Sequence, residues 1–401
     1  MILLRARDFR LIWTGQVVSV VGDGMQRIAL LWWARRSGGN GLLAAVALAT
    51  MLPLIAGSPV GGWMADRFDR RRLMVAADLA RLGLTAALAT LMLSRHASPV
   101  VVCALVALCA LATSVFEPTY AAAVPTLIEP DDRPAANGMN MANSAVGGLI
   151  GPLVGGVLIA SFSVGTVLTI NAITFAWSAA FVARSRVPLP AGATAEAKER
   201  HSTRAAVAAV LRDCGLRRLV GLAATLNMVV APVPLLIVAL AVDRFHTGSV
   251  GLGVLQVTIS AGILIGALAA SKLARTTIAR PMLVLGVCFA LVGSLTFVAA
   301  AAVFVVGGIA IAVANTVLLT RFQSSVAEAI QGRVFGAVGA IGEALRPVGL
   351  ALGAPLLAVA GVSGAFIAVG ASVIVATLFW GLTPATPAPT TPDSQQVSVP
   401  V

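Results

Sequence analysis

Apolar residues gather along this 401-residue chain in blocks about twenty residues long, divided by short polar links. Twelve blocks are legible, near 11–34, 42–65, 73–94, 99–123, 139–162, 164–184, 217–242, 250–272, 281–300, 302–321, 334–360 and 362–382. About 20 apolar residues carry a helix across the hydrocarbon of a bilayer, so each block predicts one membrane span. The link near 301 is the least marked, because no polar residue sets it off. Twelve spans are preferred to eleven because both chain ends then fall on one side. A membrane β-barrel would show alternating segments of about ten residues, and none is present. Lipid admits only helices or closed barrels, since backbone groups must be satisfied internally. The pattern predicts an all-α membrane protein.

Composition strengthens this. Hydrophobic residues make up 58% and charged residues 11%, with a mean hydropathy of +0.95; soluble domains run at about 45–50% apolar and about 25% charged. The net charge of +12 would suit a nucleic-acid binder, but its placement argues against one. With the N-terminus in the cytoplasm, 21 of the 28 Lys and Arg fall in cytoplasmic links and four outside, Arg35, Arg36, Arg95 and Arg244. That is the positive-inside bias, and it predicts a multi-pass protein of the cell membrane with both termini cytoplasmic. The start, MILLRARDFRLIW, lacks the pattern of a cleaved signal peptide. Cys103, Cys109 and Cys288 lie within apolar blocks and Cys214 in a link, while His96, His201 and His246 are scattered through loops. No metal or cofactor is expected.

The longest polar stretch, 184–204, lies near the midpoint with six blocks on either side. The predicted organisation is a six-helix bundle over 1–184, a cytoplasmic linker over 185–216, a second bundle over 217–382 and a disordered tail over 383–401. The segment 204–219 has the alternation of an amphipathic interfacial helix. The halves echo each other: residues 62–74 resemble 267–279, and GPLVGG at 151 resembles GAPLLA at 353. Parallel repeats of this kind place a transport site at the midplane between halves.

The densest charge lies in GGWMADRFDRRR, 61–72. Gly62, Asp66, Arg67, Asp69, Arg70 and Arg71 are similar to the loop motif of the major facilitator superfamily, with Asp69 where that motif usually has glycine. Gly147, Gly151, Pro152, Gly155 and Gly156 in the fifth block resemble the superfamily's drug–proton antiporter motif. FRLIWTGQVVSVVGDG at 9–24 and LRDCGLRRL at 211–219 resemble its macrolide-efflux and secretion-effector branch. The resemblance covers the whole chain and implies two pseudo-symmetric six-helix bundles. It also implies that Asp66 latches the cytoplasmic side against an eleventh span starting near Gly332. In physical terms Gly62 lets helices approach closely, an acid is favoured at a helix N-terminus, and Pro152 bends its span.

Several charges lie inside blocks, where each costs roughly 2.5–3.5 kcal/mol on insertion scales and so tends to serve transport. Asp23 lies about 18 Å deep, with Arg27 one turn on; it is either a proton or substrate partner or half of a static pair with Arg27. Glu117, beside Pro118 and Tyr120, is a second coupling or cation-recognition candidate. Glu343 and Arg346 are three residues apart and able to neutralise each other. Asp78 and Arg81 are read as bracing the gate. Tyr120, Asn227, Gln256 and Asn315 are candidate cavity-lining groups.

The function these features predict is proton-coupled export of a small amphiphilic compound by alternating access, carried out by a monomer whose partners are substrate, protons and lipid. Uptake or symport of a nutrient is the alternative, disfavoured by 5% aromatic content and a single tyrosine. A membrane-embedded transferase is remote, because Asp131–Asp132 is the only adjacent acidic pair and has no histidine nearby.

Overall fold

Gly38 and Gly39 divide the first long helix, Arg7–Arg67, into two: α1 (7–37) and α2 (40–67). Gly39 has φ +60°, a conformation that costs glycine little and other residues much. In this computed structural model, residues 6–94, 96–186, 214–273, 277–325 and 342–381 are described. The helices that follow are α3 (Arg70–Leu93), α4 (Pro99–Ala123), α5 (Arg133–Ser161), α6 (Val164–Arg184), α7 (Cys214–Val230), α8 (Gly248–Leu273), α9 (Ala279–Val292) and α10 (Phe297–Ser325). Helix Arg346–Gly381 divides at Gly361 into α11 (346–360) and α12 (362–381). A bend at Ala231–Pro232 extends α7 through Val233–Ala239 into a π-helical turn, Leu240–Arg244. Nine described helices are long and apolar enough to cross a membrane; two of these are double, and Ala279–Val292 is a shorter apolar one, so the chain passes twelve times.

Two boundaries differ from the hydropathy reading. The break between α9 and α10 falls at 293–296 rather than near 301. Gly293 and Ser294 interrupt the helix there, and Ser363 Oγ donates to the Gly293 carbonyl at 2.5 Å. The run of alanine over 299–302 is instead a strong helix former. Helix α5 starts at Arg133, six residues before the apolar block, with Pro134 in its first turn, where a missing N–H costs nothing. The linker residues 187–213 and the tail beyond 381 lie outside the described residues. So does most of the predicted interfacial helix.

Close approach of helix backbones repeats in the two halves. Gly57 and Gly61 of α2 face Ser114 of α4, and Gly262 and Gly266, 205 residues on, face Val305 and Ile309 of α10. Gly147 and Gly151 of α5 face Val20, Val21 and Gly24 of α1; Gly349 and Gly353, 202 residues on, face Met228 and Pro232 of α7. The sequence echo at 151 and 353 is one of these positions, where a side chain would push two helices apart, and the 205-residue pairs lie just before the stretches 62–74 and 267–279. The result is two pseudo-symmetric six-helix bundles.

Candidate functional site

At the end of the molecule that carries the N-terminus, the charged link between α2 and α3 closes three helix ends. Asp69 caps α3 by accepting from the Arg72 N–H at 3.0 Å, which satisfies a donor that the first turn leaves free. Arg70 donates to the Ala65 carbonyl at 3.1 Å and to the Ala122 carbonyl at 3.0 Å, and Arg71 donates to the Ala183 carbonyl. These carbonyls belong to the last turns of α2, α4 and α6, where cations are favoured. Arg67 lies over the Trp63 ring at 5.7 Å. Asp66 is exposed, while Gly332, its expected partner region, lies outside the described residues. Among the described residues a Cβ on Gly62 would meet nothing within 4 Å, whereas one at Gly61 would strike the Ser114 carbonyl. One residue of phase is about 100° around a helix, so Gly61 and Gly62 face different neighbours.

Farther in, Arg81 organises the interior of the first bundle. It lies eleven residues past the start of α3, or about 16 Å along it, and with Asp78 it is buried in the interior. Among the described residues these are the two charged side chains that are buried, at 2% and 0% exposure. Arg81 donates to Asp78 Oδ1 through Nη2, and its Nη1 lies 4.0 Å from Asp23 Oδ2, too far for a hydrogen bond. The rings of Phe116 and Phe175 cover the guanidinium, with centroids at 4.2 and 4.6 Å, the cation–π arrangement. Asp78 Oδ2 accepts from Ser178 at 2.7 Å, and Ser178 accepts from Gln16 at 2.9 Å. Arg81 Nε has no partner among the described residues.

Asp23 therefore has Arg81 of α3 as its leading electrostatic partner, with Asn171 of α6 and then Arg27 behind it. The fold adds an interhelical partner to the local one, Arg27. Asp23 keeps 41% of its side chain accessible. Arg27 and Glu117 are also exposed, and Glu117 acts on the same charge group from α4. The fold thus brings Asp23, Arg27, Asp78, Arg81 and Glu117 together. Tyr120 instead ties α4 to α5, its hydroxyl donating to Asn140 at 2.7 Å. On α11 and just before it, Glu343 and Arg346 pair with each other at 3.0 Å. Asn227 and Gln256 are half-buried and Asn315 exposed, each on a different helix of the second bundle. Gln16, Asn171, Phe175 and Ser178 were not singled out from the sequence. The available signal was Asn171, Thr174 and Ser178, three and four residues apart, which share one face of α6.

The glycine–proline run of α5 serves two neighbours at once. Gly147, Gly151 and Gly155 face α1, whereas Pro152 and Gly156 meet Gly253 and Ser249 of α8 in the other bundle. Ser249 donates to the Gly156 carbonyl at 2.8 Å. Arg35, at the end of α1, pairs with Asp243 in the π-helical turn of the second bundle and donates to Asn40 at 2.6 Å. The far end of the molecule is therefore joined across the bundles by an ion pair and by close backbone contact. Exchange of the charges tests the pair. Arg35→Asp is expected to raise labelling of a cysteine placed on this face by about two- to fivefold, the scale of an exposed pair, and Arg35→Asp with Asp243→Arg to restore it. Equal labelling in all three proteins would deny the pair any role in closure.

Sequence and structure comparisons agree with this architecture. A sequence model of the Major Facilitator Superfamily matches residues 12–345. Among relatives, the multidrug efflux pump Tap of Mycobacterium tuberculosis is 27% identical, with 89% of each chain covered. Macrolide efflux protein A of Streptococcus pyogenes is 22% identical, covering 91% of this chain and 93% of that one. Similar solved structures include the nucleoside transporter NupG, with a TM-score of 0.75 at 12% identity over 93% of this chain and 98% of that one. A bacterial homologue of the iron transporter ferroportin gives 0.72 at 11% identity, over 94% and 99%. At such identities the structures speak for the fold alone; the family model, spanning most of the chain, carries the assignment. The chain belongs to the Major Facilitator Superfamily.

Proposed function

We propose that this protein exports small amphiphilic compounds across a bacterial plasma membrane in exchange for protons, as a monomer with both termini in the cytoplasm. The efflux names of relatives that align over about nine tenths of the chain support export. The charge bias of the links supports the orientation, and under it the Arg35–Asp243 pair closes the outer end.

The observation that carries the coupling is the charge count of the interior group. Among the described residues three carboxylates, on Asp23, Asp78 and Glu117, lie in one group with two guanidinium groups, on Arg27 and Arg81. One negative charge is left over, and a proton or a cationic compound can neutralise it. Asp78 is closed off by Arg81 and Ser178, so Asp23 and Glu117 are the carboxylates open to exchange. Competition between proton and compound for one excess charge is sufficient for antiport, because each then lowers the affinity for the other by the same factor. The amides Asn227, Gln256 and Asn315 supply the opposite wall with neutral polar contacts, and Asp66 latches the cytoplasmic side.

Efflux of ethidium, erythromycin and tetracycline from cells expressing the protein tests this reading, with and without a proton uncoupler. Wild type is expected to export at least one of them in an uncoupler-sensitive way. Asp23→Asn should lower that export by about tenfold or more, equivalent to about 1.4 kcal/mol in the transport step. Glu117→Gln should change which compounds are exported. Export that ignores the uncoupler and survives in Asp23→Asn would rule out proton exchange at this group. Uncoupler-sensitive accumulation inward would replace export with uptake.

A further inference from the structure

Arg81 is the only buried cation among the described residues, and it stands between two carboxylates on different helices. We infer that Arg81 is a positioning residue that shuttles between Asp78 of α3 and Asp23 of α1, so that the charge state of Asp23 is converted into a change in how α1 seats on α3. The inference rests on the proton-exchange reading above and names the part that transmits the proton's arrival.

The geometry restricts how the guanidinium can move. Phe116 lies against it from α4 and Phe175 from α6, so displacement out toward either ring is blocked while the direction between the acids is left. On the Asp78 side the contact is a hydrogen bond in a dry setting; on the Asp23 side it is a 4.0 Å approach to a carboxylate that remains 41% accessible. Nε has no partner among the described residues in this position. A buried donor left unsatisfied is costly, which keeps the Asp78-side position from being a deep trap.

The surroundings give Asp23 few other controls. Arg27 on its own helix acts on it more weakly than Arg81, Asn171 approaches from α6, and Asp78 and Glu117 bear on the same group from α3 and α4. Cys109 of α4 faces Arg81 while held to Thr85 at 3.8 Å, and Tyr120 faces Glu117. Helix α5 meets this part of α1 with Gly147 and Gly151. With Asp23 ionised, Arg81 is drawn toward α1; with Asp23 protonated, it settles on Asp78 alone. Gly24, the next residue, is among those that α5 touches, and α1 ends at the Arg35–Asp243 pair. A shift of α1 therefore reaches both the contact within the bundle and the contact between bundles.

Carbodiimide labelling reads this without a transported compound. Dicyclohexylcarbodiimide modifies protonated carboxyls within membranes, and mass spectrometry of the purified full-length protein follows Asp23 separately as pH is varied. Asp78→Asn frees Arg81 to side with Asp23, whereas Asp78→Asn with Arg81→Gln removes it while leaving no buried charge unpaired. The two variants are expected to move the Asp23 labelling midpoint in opposite directions, by about one pH unit or more between them, with labelling of Glu343 in the second bundle as the unshifted reference. Proteoliposomes carrying the double variant should also move fewer protons per ethidium than wild type. Midpoints that coincide in both variants, or move the same way, would overturn the shuttle. Opposite shifts in a protein whose wild type exports independently of protons would leave the Arg81–Asp23 link standing and remove the proton-exchange reading instead.

Discussion

Replacing Gly349 with leucine is expected to leave almost no monodisperse protein, whereas the same change at Gly62 should be tolerated. A Cβ on Gly349 would run into the Met228 carbonyl oxygen and lie 3.0 Å from its Cα. These are backbone atoms of a packed helix and have no rotamer into which to retreat. Overpacking a well-filled site costs about 1–3 kcal/mol even where side chains can yield, and here α11 would have to part from α7 along its length. Membrane helices associate through close van der Waals fit, since lipid supplies no hydrophobic drive between them, so lost contact is not recovered elsewhere. Gly62 meets no described residue within 4 Å, and leucine there is expected to cost little. Fluorescence-detected size exclusion of fusion proteins in mild detergent reads both. A Gly349→Leu protein that elutes and melts like wild type would show that the α7–α11 contact is looser than described.

That contrast shows what the sequence could and could not reveal. Span number and order follow from block length, because each crossing needs about 20 apolar residues whatever its neighbours are. The Glu343–Arg346 pair was equally legible, since both partners lie on one helix turn. The Asp23–Arg81 contact was not: it joins α1 to α3, and nothing periodic in either helix encodes which residue of one faces the other. Asp23 thus looked like Arg27's partner when only local spacing was available. The antiporter-like glycines were recognisable as a motif, but their division between α1 and α8 depends on a 100° phase difference between neighbouring residues. Only helix placement fixes that phase. Hydropathy failed at 293–296 for a related reason. Glycine and serine end a helix through backbone chemistry that an average over twenty residues suppresses.

The second large effect concerns the Asp78–Arg81 pair, where one substitution should be far worse than two. Arg81→Leu strands Asp78, a carboxylate with 0% exposure, beside Ser178 alone, and breaking a buried pair in this way costs about 3–5 kcal/mol. Arg81→Leu combined with Asp78→Leu removes both charges together. Such replacements are often neutral or stabilising by about 1–4 kcal/mol, and the rings of Phe116 and Phe175 that cover the guanidinium would close on an aliphatic side chain. The single variant is therefore expected to unfold at a clearly lower temperature than wild type, with the double variant restored to wild type or above. If the double variant is as fragile as the single one, the pair is a structural strut and its retention needs no further reason. If it is restored, stability alone cannot account for two charges held in the interior of a bundle. The stable double variant should then fail in transport, and its failure would locate the requirement for those charges in the movement of the protein.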